Sequence, residues 1–259
     1  MSVEPLVGYA RLGESRIAYQ VMGEGPVDIL ITAGYWGTFD VEWEEPMIRL
    51  FLEQLASFAR VIQFDRLGTG ASDSVTSELL PSWEGFAEEI RCVLDAVGSE
   101  RVALFAISEV GAAAMLFAAT HPERCRALIL FDSAARLLVA DDYPFGMSRD
   151  EAEAAFDSSA AEDWGTGAVS NIRTYMPSKA GDPRFRRWVG RMERSISTPD
   201  MALRYNAATL AADARAFLPL ISAPTLVLQR LSAPTSPVEQ GRFLAEHIPG
   251  ARLVELPGG

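Results

Sequence analysis

Hydrophobic and polar positions alternate with two different periods along the first half of the chain. Tyr9 to Leu12 and Arg16 to Val21 read as two short strands joined by a turn at Gly13-Glu14. Val27 to Ala33 is almost wholly apolar, as a strand buried on both faces should be. Pro46 opens a helix to about Ser57, with Met47, Leu50, Phe51 and Leu55 expected on one stripe. Arg60 to Asp65 is another strand. Ser82 caps a helix that runs to Val97, where Gly98 ends it. Arg101 to Ile107 and Ala127 to Phe131 are strands on either side of an Ala-rich helix, Glu109 to Thr120. Strands alternating with helices imply parallel pairing through right-handed crossovers.

The pattern changes after Asp132. From Ala134 to about Ala223 the periodicity predicts helices alone, over Arg149 to Ala161, Pro183 to Ile196 and Pro199 to Leu210. The alternation then resumes with a strand at Pro224 to Gln229, a helix at Pro237 to Ile248 and a strand at Ala251 to Leu256. The expected organisation is an α/β core in two parts, residues 1–133 and 223–259, interrupted by a helical cap over 134–222. Open α/β sheets bind ligands beyond the carboxyl ends of their strands, so the cap is expected there.

Composition narrows the partners. Of 259 residues, 49% are hydrophobic and 22% charged, which excludes a wholly disordered chain. With 23 basic against 35 acidic side chains the net charge is −12. Such a chain repels nucleic-acid phosphates and anionic lipid surfaces. Cys92 and Cys125 are the only cysteines and read as small buried residues in a reducing compartment. The first residues do not have the form of a secretion signal, and no apolar run suits a membrane span, so a cytoplasmic protein is expected. No cofactor or metal site is expected, because His121 and His247 lie far apart without ligand spacing around them.

Ser108 is the leading candidate for chemistry. It follows a strand and precedes a helix in Ala106-Ile107-Ser108-Glu109-Val110-Gly111, the order of a nucleophile elbow. A serine in that place also suits a simple helix cap, and the strand-to-helix context favours the elbow. Elbows need small residues two before and two after the serine. Ala106 meets that need, Val110 is expected to crowd it, and Gly111 comes one position late. Asp65-Arg66-Leu67-Gly68-Thr69-Gly70-Ala71-Ser72-Asp73 has Asp73 where a dinucleotide fingerprint needs its third glycine, so it reads as a structural turn. His121 and His247 stand at helix ends, where a cation suits the helix dipole better than it suits catalysis.

Several segments together carry a family likeness: Trp43-Glu44-Glu45-Pro46, Phe64 to Asp73 just described, Asp95-Ala96-Val97-Gly98, Thr120-His121-Pro122-Glu123-Arg124 and Glu246-His247-Ile248-Pro249-Gly250. Through them the chain resembles the α/β-hydrolase fold, a mostly parallel sheet with helices on both faces. More narrowly it resembles the hydrolase-like N-terminal domain of class III adenylate cyclases. The resemblance implies Ser108 as nucleophile and backbone N–H groups of Tyr35 and Glu109 as oxyanion donors. Ala233 falls where the family's acid is expected, which leaves Asp132, at the end of the preceding strand, as the fallback acid. The family's histidine and last helix would come just after Leu256-Pro257-Gly258-Gly259. Two functions follow: a catalytically impaired serine hydrolase of esterase type, acting on a small ester or apolar ligand under the cap, or a non-catalytic ligand-binding domain that regulates a fused or partner cyclase.

Overall fold

The computed structural model describes residues 4–32, 37–75, 82–154, 163–168, 172, 176–233 and 236–258. Within them an eight-stranded sheet runs in the order β1-β2-β4-β3-β5-β6-β7-β8. The strands are β1 (Leu6–Leu12), β2 (Ser15–Met22), β3 (Asp28–Thr32), β4 (Arg60–Phe64), β5 (Val102–Ile107), β6 (Cys125–Phe131), β7 (Thr225–Arg230) and β8 (Arg252–Leu256). β1 and β2 form an antiparallel hairpin, turned at Gly13 with φ of +61°, and β2 pairs antiparallel with β4. Every later pairing is parallel. The helices are α1 (Phe39–Glu42), α2 (Pro46–Ala56), α3 (Trp83–Ala96), α4 (Gly111–Thr120), α5 (Pro183–Ile196), α6 (Pro199–Ala211) and α7 (Val238–His247). Residues 149–154 are helical too, and the rest of the helix expected to Ala161 lies outside the described residues.

The strands are apolar on both sides because helices cover both. On one face α3, α4 and α7 enclose the main core around Leu30, Ile62, Leu104, Leu128 and Val227. On the other, α2 packs Leu52 and Ala56 on Ile29, Ile31 and Val61. This corrects the stripe read from the sequence: Met47 and Leu50 are each 55% exposed, and the buried face of α2 is the one through Leu52 and Ala56. Apolar residues on three sides of this helix made the stripe ambiguous.

The long connection from β6 to β7 carries α5 and α6. They build a second, smaller core from Phe185, Trp188, Val189, Met192, Ile196 and Tyr205, joined by Val41 of α1. Polar ties hold it to the sheet. Arg184 pairs with the buried Glu45 and Arg191 with Glu44, while Trp188 Nε1 donates to the Val41 carbonyl at 3.0 Å. The Trp43-Glu44-Glu45-Pro46 stretch is thus an anchorage for α5. Below it, the Arg66 guanidinium lies between the rings of Phe86 and Tyr205, and the Tyr205 hydroxyl donates to the Leu67 carbonyl.

Candidate functional site

β5 ends at Ile107 and the chain turns at once into a single 3-10 turn, Ser108–Val110, that leads into α4. Ser108 takes φ of +60°, a conformation that an L-residue adopts only under constraint. The constraint is local packing. Val110 does not crowd the turn, because it points into the core at 3% exposure. The close approach falls at Gly111, where an added Cβ would lie 2.6 Å from Ser133 Cβ. The glycine one position late is therefore the residue that lets α4 start against the end of β6.

Ser108 lines a cavity of about 380 Å³. Its floor is the carboxyl end of the sheet, with Ile31, Ile107 and Phe131. Phe51 and Leu52 come from α2, and Phe185, Trp188, Val189 and Met192 from α5. The Ser108 hydroxyl has no hydrogen-bond partner among the described residues. Glu109, whose N–H the resemblance makes an oxyanion donor, also lines the cavity. Tyr35 lies outside the described residues.

Asp132 stands beside Ser108. Ile107 and Phe131 are registered partners on adjacent parallel strands, so the two following residues lie about one strand spacing, roughly 5 Å, apart at the backbone. Asp132 is also left-handed, with φ of +46°, and Ser108 and Asp132 are the two non-glycine residues with positive φ among the described residues. The Asp132 carboxylate is buried, at 5% exposure. Its Oδ1 accepts from the Arg230 backbone N–H at 2.8 Å and its Oδ2 from Arg230 Nε at 2.5 Å. Arg230 ends β7 and faces the cavity, as does Ala233 just after it.

Neither histidine lines this cavity. His121 ends α4, about 15 Å from its start, where it stacks on Phe117 and bonds the Thr120 hydroxyl. His247 ends α7, stacked on Phe243 with Nδ1 against the Phe243 carbonyl. Crossover helices run back toward the strands' amino ends, so both rings lie at the edge of the sheet away from Ser108. Among the described residues, no group of three or more His, Cys, Asp and Glu side chains could hold a metal ion. No helix there is long and apolar enough to cross a membrane.

A second polar group in the cavity was not singled out from the sequence. Glu42, at the end of α1, is buried and receives Gln63 Nε2 at 2.7 Å. Gln63 accepts from Gln20 at 2.8 Å, and Gln20 accepts from Trp43 Nε1 at 3.2 Å. Burial raises the Glu42 carboxyl to about 7, against the Gln63 hydrogen bond and helped by the nearby Asp65. The available signal was Gln20 and Gln63, glutamines flanked by apolar or aromatic residues within strands. Asp65, which opens the glycine-rich turn, is pushed by burial to about 6, although the N–H groups of Ala71 and Phe39 and the Thr38 hydroxyl all donate to it. The aspartate of that turn ties the chain after β3 to the chain after β4.

The sequence pattern of a family described as "alpha/beta hydrolase fold" matches residues 29–259. The chain belongs to the alpha/beta hydrolase fold family. A protein of Oryza sativa subsp. japonica named a probable esterase is 22% identical over 243 residues, 92% of this chain and 85% of that one. A Petunia hybrida protein named karrikin insensitive 2 receptor CA is 22% identical over 244 residues, again 92% and 85%. The crystal structure of a bromoperoxidase from Bacillus anthracis superposes with a TM-score of 0.82 at 21% identity, covering 98% of this chain and 92% of that one. At such identity the likeness is one of fold.

Proposed function

We propose that this chain is an α/β-hydrolase domain of the serine-hydrolase, esterase-like type, which holds a small apolar ester or acyl ligand against Ser108 beneath a cap formed by α5 and α6, and turns it over weakly or not at all. The observation that carries this reading is the pairing of Asp132 with Arg230 beside an unpartnered Ser108 hydroxyl. A serine alcohol attacks a carbonyl slowly unless a base takes its proton. His121 and His247 point elsewhere, and Ala233 brings no carboxylate. A histidine from any other source would share the Asp132 carboxylate with Arg230, which already donates to both of its oxygens. What supports ligand binding is independent of a base: an apolar cavity with a few polar groups converging in it. The helix start after Ser108 and the N–H of Glu109 suit a polarised carbonyl oxygen.

A sensory use of the same pocket is the second reading, favoured by the relative named a receptor. In it, ligand occupancy under α5 would be passed to a fused or partner module, the cyclase type being the one that the sequence resemblance implies.

Hydrolysis of p-nitrophenyl acetate by the wild-type chain and by Ser108→Ala tests the first reading. The expected result is slow turnover that the substitution leaves almost unchanged. A Ser108-dependent rate of about 1 s⁻¹ or more, within the ordinary enzyme range, would overturn it.

A further inference from the structure

We infer that Arg230 is an anchor for a carboxylate, and that the ligand preferred in this cavity is an apolar monocarboxylic acid rather than its neutral ester or ketone counterpart. The inference rests on the pocket reading above and adds the chemical class of the occupant.

Three observations converge. First, Asp132 fixes the guanidinium. The carboxylate takes Nε with one oxygen and the Arg230 backbone N–H with the other, so the side chain is held over the end of β6, one strand from Ser108. Second, that arrangement leaves both terminal nitrogens unused. No described residue accepts a hydrogen bond from Arg230 Nη1 or Nη2, and the side chain is 28% exposed. Arginine's donors sit in a planar fork that matches a carboxylate, and a fork oriented by a protein partner loses little freedom when a ligand takes the other side. Third, the remaining polar groups of the cavity are committed. Ser236 bonds Gln240 and accepts from Gln229, and Gln63 joins Gln20 to Glu42. Glu109 has an interaction of its own. Among the described residues, the free donors at the polar end are thus the Ser108 hydroxyl and the Arg230 fork, both lining the cavity.

The charges allow an anion there. Asp132 is paired with Arg230, and burial pushes Glu42 up to about 7, so that it is mostly protonated just below neutral pH. Glu109 is the remaining acidic side chain on the wall, with an interaction of its own. Apart from these groups, Gln63 and Ser236, the wall is mostly aliphatic and aromatic, with Ile107, Phe131, Trp188 and Met192 suited to a hydrocarbon body. A carboxylate on an apolar tail satisfies both ends. An ester or ketone gives the fork one weak acceptor and no charge.

Calorimetric titration of the whole chain with octanoate, nonan-2-one and octan-1-ol tests this just below neutral pH. Octanoate should bind at least roughly tenfold more tightly than either neutral probe, the ratio expected for one charge-assisted contact. Arg230→Met should abolish that preference while leaving nonan-2-one affinity within about threefold, and Arg230→Lys should keep part of it. If Arg230→Met fails to fold because Asp132 is left unpaired, the double substitution Asp132→Asn with Arg230→Met removes both charges and makes the same comparison. Nonan-2-one binding as tightly as octanoate, or a preference that survives loss of Arg230, would overturn the anchor and leave the pocket reading standing. No binding of any probe would overturn both.

Discussion

Arg230 meets both carboxylate oxygens of Asp132, with its backbone N–H on one and its Nε on the other. The pair joins the ends of β6 and β7 at the floor of the cavity.

The pair also has a stability signature. Removing one partner of a buried ion pair costs about 3–5 kcal/mol, and the partial exposure of Arg230 reduces that to roughly 1–3 kcal/mol here. Asp132→Ala and Arg230→Met should each lower the unfolding free energy by about that much. The double substitution should cost clearly less than their sum. Urea unfolding of the four proteins measures the coupling, and additive losses would show that the pair is not energetically linked.

Position 111 should tolerate glycine alone. An alanine Cβ there would fall 2.6 Å from Ser133 Cβ and 2.7 Å from its Oγ. Gly111→Ala is expected to destabilise by about 1–3 kcal/mol, the usual cost of overpacking. Adding Ser133→Gly should recover most of it, read as the midpoint of thermal unfolding.

Stability should fall as pH rises through neutrality. Burial raises Glu42 and Glu89 each to about 7, the latter against the Arg66 charge and the Leu67 N–H, from a reference of 4.5. Between 4.5 and about 7 the folded state therefore binds more protons than the unfolded state. The stabilisation these groups give is complete below 4.5 and is lost as pH rises through about 7. Asp213, held down to about 2 by Arg215, acts in the opposite sense only in much stronger acid. Thermal unfolding from pH 5 to 8 should show a declining midpoint. Glu42→Gln and Glu89→Gln should each flatten that decline, and an unchanged slope in both would contradict the assignment.

The sheet was legible in the sequence because its strands are short apolar runs between turn residues, and all eight lie within a few residues of where periodicity puts them. Ser108 was legible because a serine between a strand and an Ala-rich helix has few places to go. The surface of α2 was not, since Met47, Leu50 and Phe51 are as apolar as the residues it buries. Arg230 was hidden for a different reason. It comes 98 residues after Asp132, and only the parallel register of β6 with β7 brings them together. Glu42 was hidden by its neighbours, because an acidic residue in Phe39-Asp40-Val41-Glu42 reads as solvated until Gln63 is known to face it.

Ser108 and Asp132 hold left-handed backbone at the tips of adjacent strands, and serine keeps that shape at a cost of about 1–3 kcal/mol. Glycine adopts it freely. Ser108→Gly should therefore raise the melting temperature while removing the hydroxyl from the cavity. Position 108 then reports directly on a trade between robustness and chemistry: a chain selected for endurance alone would gain by giving up this side chain, and the rise in melting temperature of Ser108→Gly measures what the hydroxyl costs the fold.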